Sequence, residues 1–122
     1  MSRLALVVDD SMLVRHSICR FLEKRGFAVE SATNGRDALA IVGRVRPAVI
    51  ITDIDMPVMN GTELIRVLKS KPETENIPIV IVAGRTSAAL EAERHAEFAI
   101  FKDIEIEEQL SRALDAMLTR PS

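Results

Sequence analysis

Three carboxylates follow apolar runs in the sequence, at the points where those runs end. Asp9 and Asp10 come directly after the run 4–8, and Asp53 follows the run 48–51. In an open parallel sheet, ligands bind beyond the carboxyl ends of the strands, where the strand order reverses. Like charges that meet there repel one another and lose hydration, so a positive partner must balance them. We expect a hard divalent cation. Mg²⁺ fits a small set of protein ligands better than Ca²⁺, although Mn²⁺ would also serve.

A plainer role is open to each of these acids taken singly. Asp10 or Ser11 could cap the amino terminus of the first helix, and Asp53 could open an Asx turn ahead of Pro57. The grouping of all three acids at the ends of strands that become neighbours in a common five-stranded order favours the metal site.

A lysine adds a further element to this chemistry. Lys102 directly follows the short apolar run 98–101. A single lysine is usually a solvated surface charge, but at the same edge of the sheet its ammonium could bind a phosphoryl oxygen as a point charge. Three carboxylates, a divalent cation and a lysine together indicate phosphoryl transfer.

The elements that must position these residues follow the pattern of repeated βα units. Short apolar runs alternate with amphipathic segments, which indicates a mostly parallel sheet. Continuous, β-branched runs predict strands that are buried on both faces, whereas an alternating or very short run predicts a less buried strand or an edge strand. The predicted central strands are 4–8, 48–51 and 79–82, and the less buried ones are 27–32 and 98–101.

Apolar residues at helical spacing predict helices between and after these strands. Gly26, Pro47 and Pro72 stand where the first three helices should end. The apolar stripes that mark these helices lie within 14–22, 38–45, 64–68 and 110–118, the second helix starting near residue 34, and a further helix is expected within 87–96.

Composition narrows the class of partner. Aromatic residues make up only 3% of the chain, so surfaces that stack on nucleic-acid bases are not expected. Interspersed charges with a net charge of −2 argue against binding to nucleic acid or to an anionic membrane.

Cys19 is the only cysteine, which excludes an internal disulfide and fits a reducing cytoplasm. No apolar run is long enough for a membrane span. We expect a cytoplasmic protein whose partner is another protein or a small ligand.

These residues resemble a known family, the receiver domains of two-component response regulators, of the chemotaxis-regulator type. The resemblance rests on Asp9 and Asp10, on the segment 53–61 with its Met-Pro step and final glycine, and on Lys102, and it spans essentially the whole chain. It implies an α/β, flavodoxin-like (βα)5 fold: a doubly wound sheet of five parallel strands in the order 2-1-3-4-5, with helices on both faces. We expect a single domain over residues 1–122.

The resemblance assigns a role to each site residue. Asp53 would accept a phosphoryl group from the phosphohistidine of a histidine kinase or phosphotransfer protein. Asp9, Asp10, Asp53 and the backbone carbonyl of Asp55 would hold Mg²⁺, and Lys102 would bind a phosphoryl oxygen. The metal and the lysine stabilise the charge that develops as a carboxylate attacks a phosphoryl group. We expect no turnover of a separate substrate, only gain and loss of the phosphoryl group on Asp53.

The switch region departs from the family pattern. Ala83 stands where the family has a Thr or Ser hydroxyl, and Ala99 stands where it has an aromatic side chain. Asp103 replaces the proline that usually follows the lysine. Asp55 and Arg85 occupy positions at which the family tunes access of water to the acyl phosphate. We therefore expect an atypical, weaker structural response to phosphorylation.

Two alternative functions stay open. A degenerate receiver would keep the acid pocket but signal through phosphorylation-independent protein contacts. A phosphatase of the haloacid-dehalogenase type would use Asp53 as nucleophile and Asp55 as acid and base, since the segment 49–55 resembles that D-x-D motif. The motif generally lies in the first strand of such enzymes, whereas here it follows the third predicted strand. If the chain acts as a receiver domain, it would pass its signal on by contact with an unknown partner protein.

Overall fold

Five parallel strands form the centre of the protein. A computed structural model describes residues 3–83, 98–101 and 105–118. The strands pair in the order β2-β1-β3-β4-β5, and every pairing is parallel, which confirms the order that the family resemblance implies. Their bounds are β1 (Leu4–Val8), β2 (Ala28–Ala32), β3 (Val49–Thr52), β4 (Ile79–Ala83) and β5 (Phe98–Phe101).

Helices cover both faces of this sheet. Within the described ranges they are α1 (Met12–Lys24), α2 (Gly35–Arg44), α3 (Gly61–Lys69) and α4 (Ile106–Leu118). The helix expected within 87–96 lies outside the described residues. None of the helices in the described part has the length and apolar content that crossing a membrane requires.

The apolar core has two layers because side chains alternate across the strands. Leu6 and Val8 of β1 pack with α2 and α3 on one face, whereas Ala5 and Val7 pack with α1 and α4 on the other. Buried aliphatic side chains from β3 and β4 complete both layers. The parallel βα pattern predicted from the sequence, and the doubly wound arrangement that the family resemblance implies, are therefore confirmed.

Strand ends differ from the sequence-based bounds by at most one residue, whereas α3 and α4 begin three and four residues before the apolar stripes that marked them. Strand β3 extends to Thr52, one residue later than predicted, because Thr52 pairs with Val8 on one side and Ile81 on the other. Helix α2 ends at Arg44 rather than 45, where the chain becomes extended ahead of Pro47. Helix α1 ends as predicted before Gly26, whose positive φ of 92° favours glycine.

Strand order determines what meets at the carboxyl edge. Strands β1 and β3 are neighbours in the middle of the sheet, and Val8 lies opposite Thr52. The residues that follow these two strands must therefore leave the sheet side by side.

Candidate functional site

The predicted carboxylates come together at the carboxyl ends of β1 and β3. The Asp53 N–H donates to the Val8 carbonyl oxygen at 2.8 Å, so the chain leaving β3 is still paired to β1 when it reaches this aspartate. One carboxylate oxygen each from Asp9, Asp10 and Asp53 lies within 4.8 Å of the others. The three acids thus form one cluster at the edge of the sheet.

Burial divides the three acids into two kinds. Asp9 is 1% exposed and Asp53 is 5% exposed, whereas Asp10 is exposed to solvent. A carboxylate loses hydration when it is buried, and this cost must be offset by hydrogen bonds or by a cation. The cluster therefore has a buried wall made by two acids and an open side at Asp10.

Local hydrogen bonds account for part of the buried wall. Asp9 Oδ1 accepts from the Ser11 N–H at 2.9 Å, and Asp53 Oδ1 accepts from the Ile54 N–H at 2.7 Å. The cap of α1 is Ser11, whose side chain accepts from the Val14 N–H at 3.3 Å. Of the two capping residues considered from the sequence, Ser11 therefore fills that role and Asp10 does not.

The donor set matches a hard divalent cation. All three groups are carboxylates, whose oxygens are the ligands that magnesium prefers. Two oxygens bound to one Mg²⁺ lie at most about 4.2 Å apart. The upper limit of 4.8 Å in this cluster is close to that separation, and the exposed Asp10 side chain is the one with room to adjust.

The main chain at Asp53 is closely packed. The Thr52 hydroxyl donates to the Asp53 carbonyl oxygen at 2.8 Å, and the Gly61 N–H donates to the Ile54 carbonyl oxygen at 2.8 Å. A Cβ built on Gly61 would clash with that Asp53 oxygen and would lie 2.9 Å from the Ile54 Cα. Only glycine lets α3 begin this close to the backbone of Asp53.

The rest of the loop after β3 is held at both ends. Asn60 and Glu63 form a capping box at the start of α3. The Met59 carbonyl oxygen accepts from the Gly35 N–H at 2.8 Å, which ties the loop to the start of α2. Between these anchors the Met59 N–H donates to the Pro57 carbonyl oxygen at 2.7 Å across a tight three-residue turn.

Val58 stands at the centre of that turn with a φ of 68°. A β-branched residue rarely adopts a positive φ, so the loop beside Asp53 holds backbone strain. Val58 is also 71% exposed, so burial of its side chain offsets little of this backbone strain.

Arg15 is a site residue that sequence reasoning missed. Its Nη1 donates to the Asp9 carbonyl oxygen at 2.9 Å from the second turn of α1. The guanidinium thereby fixes the main chain of the most buried acid. Its position six residues after Asp9 gave no recognisable pattern, because it contacts a backbone atom rather than a carboxylate.

The remaining predicted residues lie in several places. The Asp55 side chain is exposed. Ala83 ends β4 opposite Phe101, and Ala99 is partly buried against the core layer that contains α2 and α3. Lys102, Arg85 and Asp103 lie outside the described residues.

Comparison with known proteins gives consistent matches. The family model for the response regulator receiver domain matches residues 5–114. The chain is 37% identical over 120 residues to the response regulator MprA of Mycolicibacterium vanbaalenii, covering 94% of this chain and 50% of MprA. It is 39% identical over 80 residues to protein PilH of Pseudomonas aeruginosa, covering 66% of each.

The chain is also similar in structure to a solved receiver-type protein. The chemotaxis protein CheY4 of Vibrio cholerae superposes with a TM-score of 0.85 at 30% identity, covering 95% of this chain and 98% of that one. The chain spans about half the length of the MprA relative that it matches.

Proposed function

The chain belongs to the response regulator receiver domain family, and from that premise we propose that it accepts a phosphoryl group on Asp53 with the help of Mg²⁺. The observation that carries this proposal is the convergence of three carboxylate oxygens within 4.8 Å at the ends of β1 and β3. Such a cluster has a clear chemical use in a domain of this family, since it can hold the metal and supply the nucleophile.

The metal ligands we propose are Asp9, Asp10 and Asp53, together with the backbone carbonyl of Asp55. When bound, Mg²⁺ would supply positive charge to the phosphoryl oxygens. The Arg15 hydrogen bond and the Ser11 N–H hold Asp9 in place from the side of α1. Asp10, on the open side, is the ligand that can adjust.

In the proposed reaction, a carboxylate oxygen of Asp53 forms a bond to phosphorus while the bond from phosphorus to the donor nitrogen breaks. The hydrogen bond from the Ile54 N–H sets the rotation of the Asp53 carboxylate, and the packed main chain holds its Cα. Lys102, which follows β5 in the sequence, would bind a phosphoryl oxygen. The product is an aspartyl phosphate, so the chain acts on itself rather than on a released substrate.

The partner we propose is a histidine kinase or a phosphotransfer protein in the cytoplasm, and output passes through contacts with another protein. The family matches do not favour the two alternatives.

Incubation with acetyl phosphate and Mg²⁺, followed by intact-mass measurement, tests this function. We expect a mass gain of one phosphoryl group, and we expect no gain when the metal is chelated before acetyl phosphate is added. Asp53→Asn should abolish the gain, because the amide is nearly isosteric but is not a nucleophile. Asp55→Asn is the matched control and should retain the gain, since the proposed part of Asp55 in phosphoryl uptake is its backbone carbonyl. Uptake by Asp53→Asn, or uptake without a divalent cation, would contradict the proposal.

A further inference from the structure

A cleft lies at the end of the sheet opposite the carboxylates. It has a volume of about 570 Å³ and is formed by the start of β1, the segment after α2 and the segment before β4. We call it the amino-edge cleft. Pro47 and Ile77 are buried in its lining, and Arg3 and Arg46 are exposed at its rim. Its volume is in the range of sites that hold small ligands or short peptide segments.

A second hollow adjoins this cleft. It lies between α2 and α3, has a volume of about 330 Å³, and is called here the helix notch. Arg46 and Glu73 line both hollows. The partly buried side chains of Leu39, Val42 and Val67 give the notch aliphatic surface. Because they share these two charged residues, the amino-edge cleft and the helix notch form one continuous surface of mixed apolar and charged character.

Three cations around this surface are not paired within the described part of the chain. Among the residues that the structure describes, the side chains of Arg3, Arg46 and Lys71 make no hydrogen bond or ion pair. Arg44 and Lys69, in the last turns of α2 and α3, complement the helix dipoles. Arg46 and Lys71 lie beyond those helix ends, so that explanation does not cover them.

We propose that the amino-edge cleft and the helix notch together bind a short peptide segment of a partner protein. This segment carries acidic side chains next to an aliphatic side chain. The guanidinium groups of Arg3 and Arg46 match the planar geometry of a carboxylate. The notch accepts the aliphatic side chain. Glu73 lies among these cations, where its carboxylate can accept N–H groups of the peptide backbone, and a nucleic-acid phosphate chain has no aliphatic side chain for the notch. These features favour a peptide over a polyanion.

This surface is separate from the phosphoryl site. The carboxylates follow the carboxyl ends of the strands, whereas Arg3 and Arg46 precede β1 and β3. A strand of this length spans about 16 Å. A peptide bound at the amino edge leaves Asp53 accessible, so binding should persist in the Asp53→Asn variant.

The probe is the synthetic peptide acetyl-Asp-Glu-Leu-Glu-Asp-amide, titrated into the ¹⁵N-labelled full chain and followed by amide NMR shifts. The control peptide replaces each acid by its amide. We expect the acidic peptide to shift resonances of Ala48, Ile77 and Val67, and we expect the control peptide to bind much more weakly. Equal shifts from both peptides, or no shifts from either, would overturn the proposal.

Two charge-reversal variants locate the binding site. Arg46→Glu should weaken binding about tenfold, because it removes an exposed ion pair and adds a repulsion of similar size. Arg44→Glu is the matched control, since this exposed arginine lines neither hollow, and its effect should stay below about twofold. Unchanged amide shifts in α1 and β1 verify that each variant is folded, and Arg46→Gln provides a milder second change.

Two results would reassign the surface. Equal weakening by Arg44→Glu and Arg46→Glu would show diffuse charge attraction instead of a site. Displacement of the acidic peptide by a short DNA duplex or by phosphatidylserine vesicles, with tighter binding than the peptide, would show a general polyanion surface. Either result contradicts a peptide-docking site.

Discussion

Substitution of Gly61 by alanine would place a methyl group against the backbone that carries Asp53. The added Cβ would clash with the Asp53 carbonyl oxygen and would lie 2.9 Å from the Ile54 Cα. Hydrogen bonds from the Thr52 hydroxyl and the Gly61 N–H already hold this stretch of main chain. The methyl group can therefore be accommodated only if α3 or the loop after β3 moves.

Two opposing effects determine how much Gly61→Ala changes the free energy of unfolding. Alanine is favoured over glycine by up to about 1 kcal/mol in a helix. Overpacking typically costs about 1–3 kcal/mol, and the obstacles here are backbone atoms that cannot change rotamer. We expect Gly61→Ala to lower the free energy of unfolding by about 1–3 kcal/mol. For a domain of this size, each kcal/mol corresponds to roughly 3–5 °C in melting temperature. Because the displaced main chain adjoins Asp53, phosphoryl uptake should also slow.

Gly43→Ala is the matched control. Gly43 lies in α2, is exposed, and a Cβ there would meet nothing within 4 Å. This change should raise the free energy of unfolding by up to about 1 kcal/mol. Urea denaturation of both variants provides the measurement. If Gly61→Ala is stabilising to the same degree as Gly43→Ala, the close approach of α3 to Asp53 is wrong.

Three further predictions concern the loop, the metal and the switch. Val58→Gly should leave stability unchanged or raise it by up to about 1 kcal/mol in urea denaturation, because it relieves the positive φ of an exposed side chain; a clear loss would contradict the strained turn. Mg²⁺ at about ten times its Kd should stabilise the chain by about 1.4 kcal/mol; an unchanged melting curve up to high Mg²⁺ would refute the metal site. Beryllofluoride, a mimic of the phosphoryl group, should change amide hydrogen exchange mainly over residues 55–61 and little over 98–101. Ala83 has no hydroxyl, and a hydrogen bond from a hydroxyl to a charged phosphoryl oxygen is worth about 1.5–3 kcal/mol. Large changes along β5 would show that the chain switches by another route.

The strands could be predicted because burial on both faces leaves a mark in the sequence. The runs at 4–8 and 79–82 are continuous and aliphatic, and the corresponding strands β1 and β4 lie inside the sheet. The alternating run at 27–32 gives the edge strand β2. The order of the strands came from the family resemblance, since the spacing of runs along a chain does not say which strands become neighbours.

The acid cluster could be predicted because charged residues directly after buried strands are conspicuous. The hydrogen bonds that hold these acids in place could not be predicted. Arg15 and Thr52 both donate to main-chain carbonyl oxygens, and such bonds impose no pattern on the sequence. The turn at Val58 was equally hidden, because a β-branched side chain is among the least expected at a positive φ.

The position of the phosphoryl group is the most direct test of the central claim that Asp53 accepts it. After treatment with acetyl phosphate and Mg²⁺, borohydride reduces an aspartyl phosphate to homoserine, and peptide mass mapping then locates the changed residue. Our account predicts homoserine at position 53 alone. Homoserine at Asp9, Asp10 or Asp55, or no reduced residue in a chain that has gained the phosphoryl mass, would contradict it.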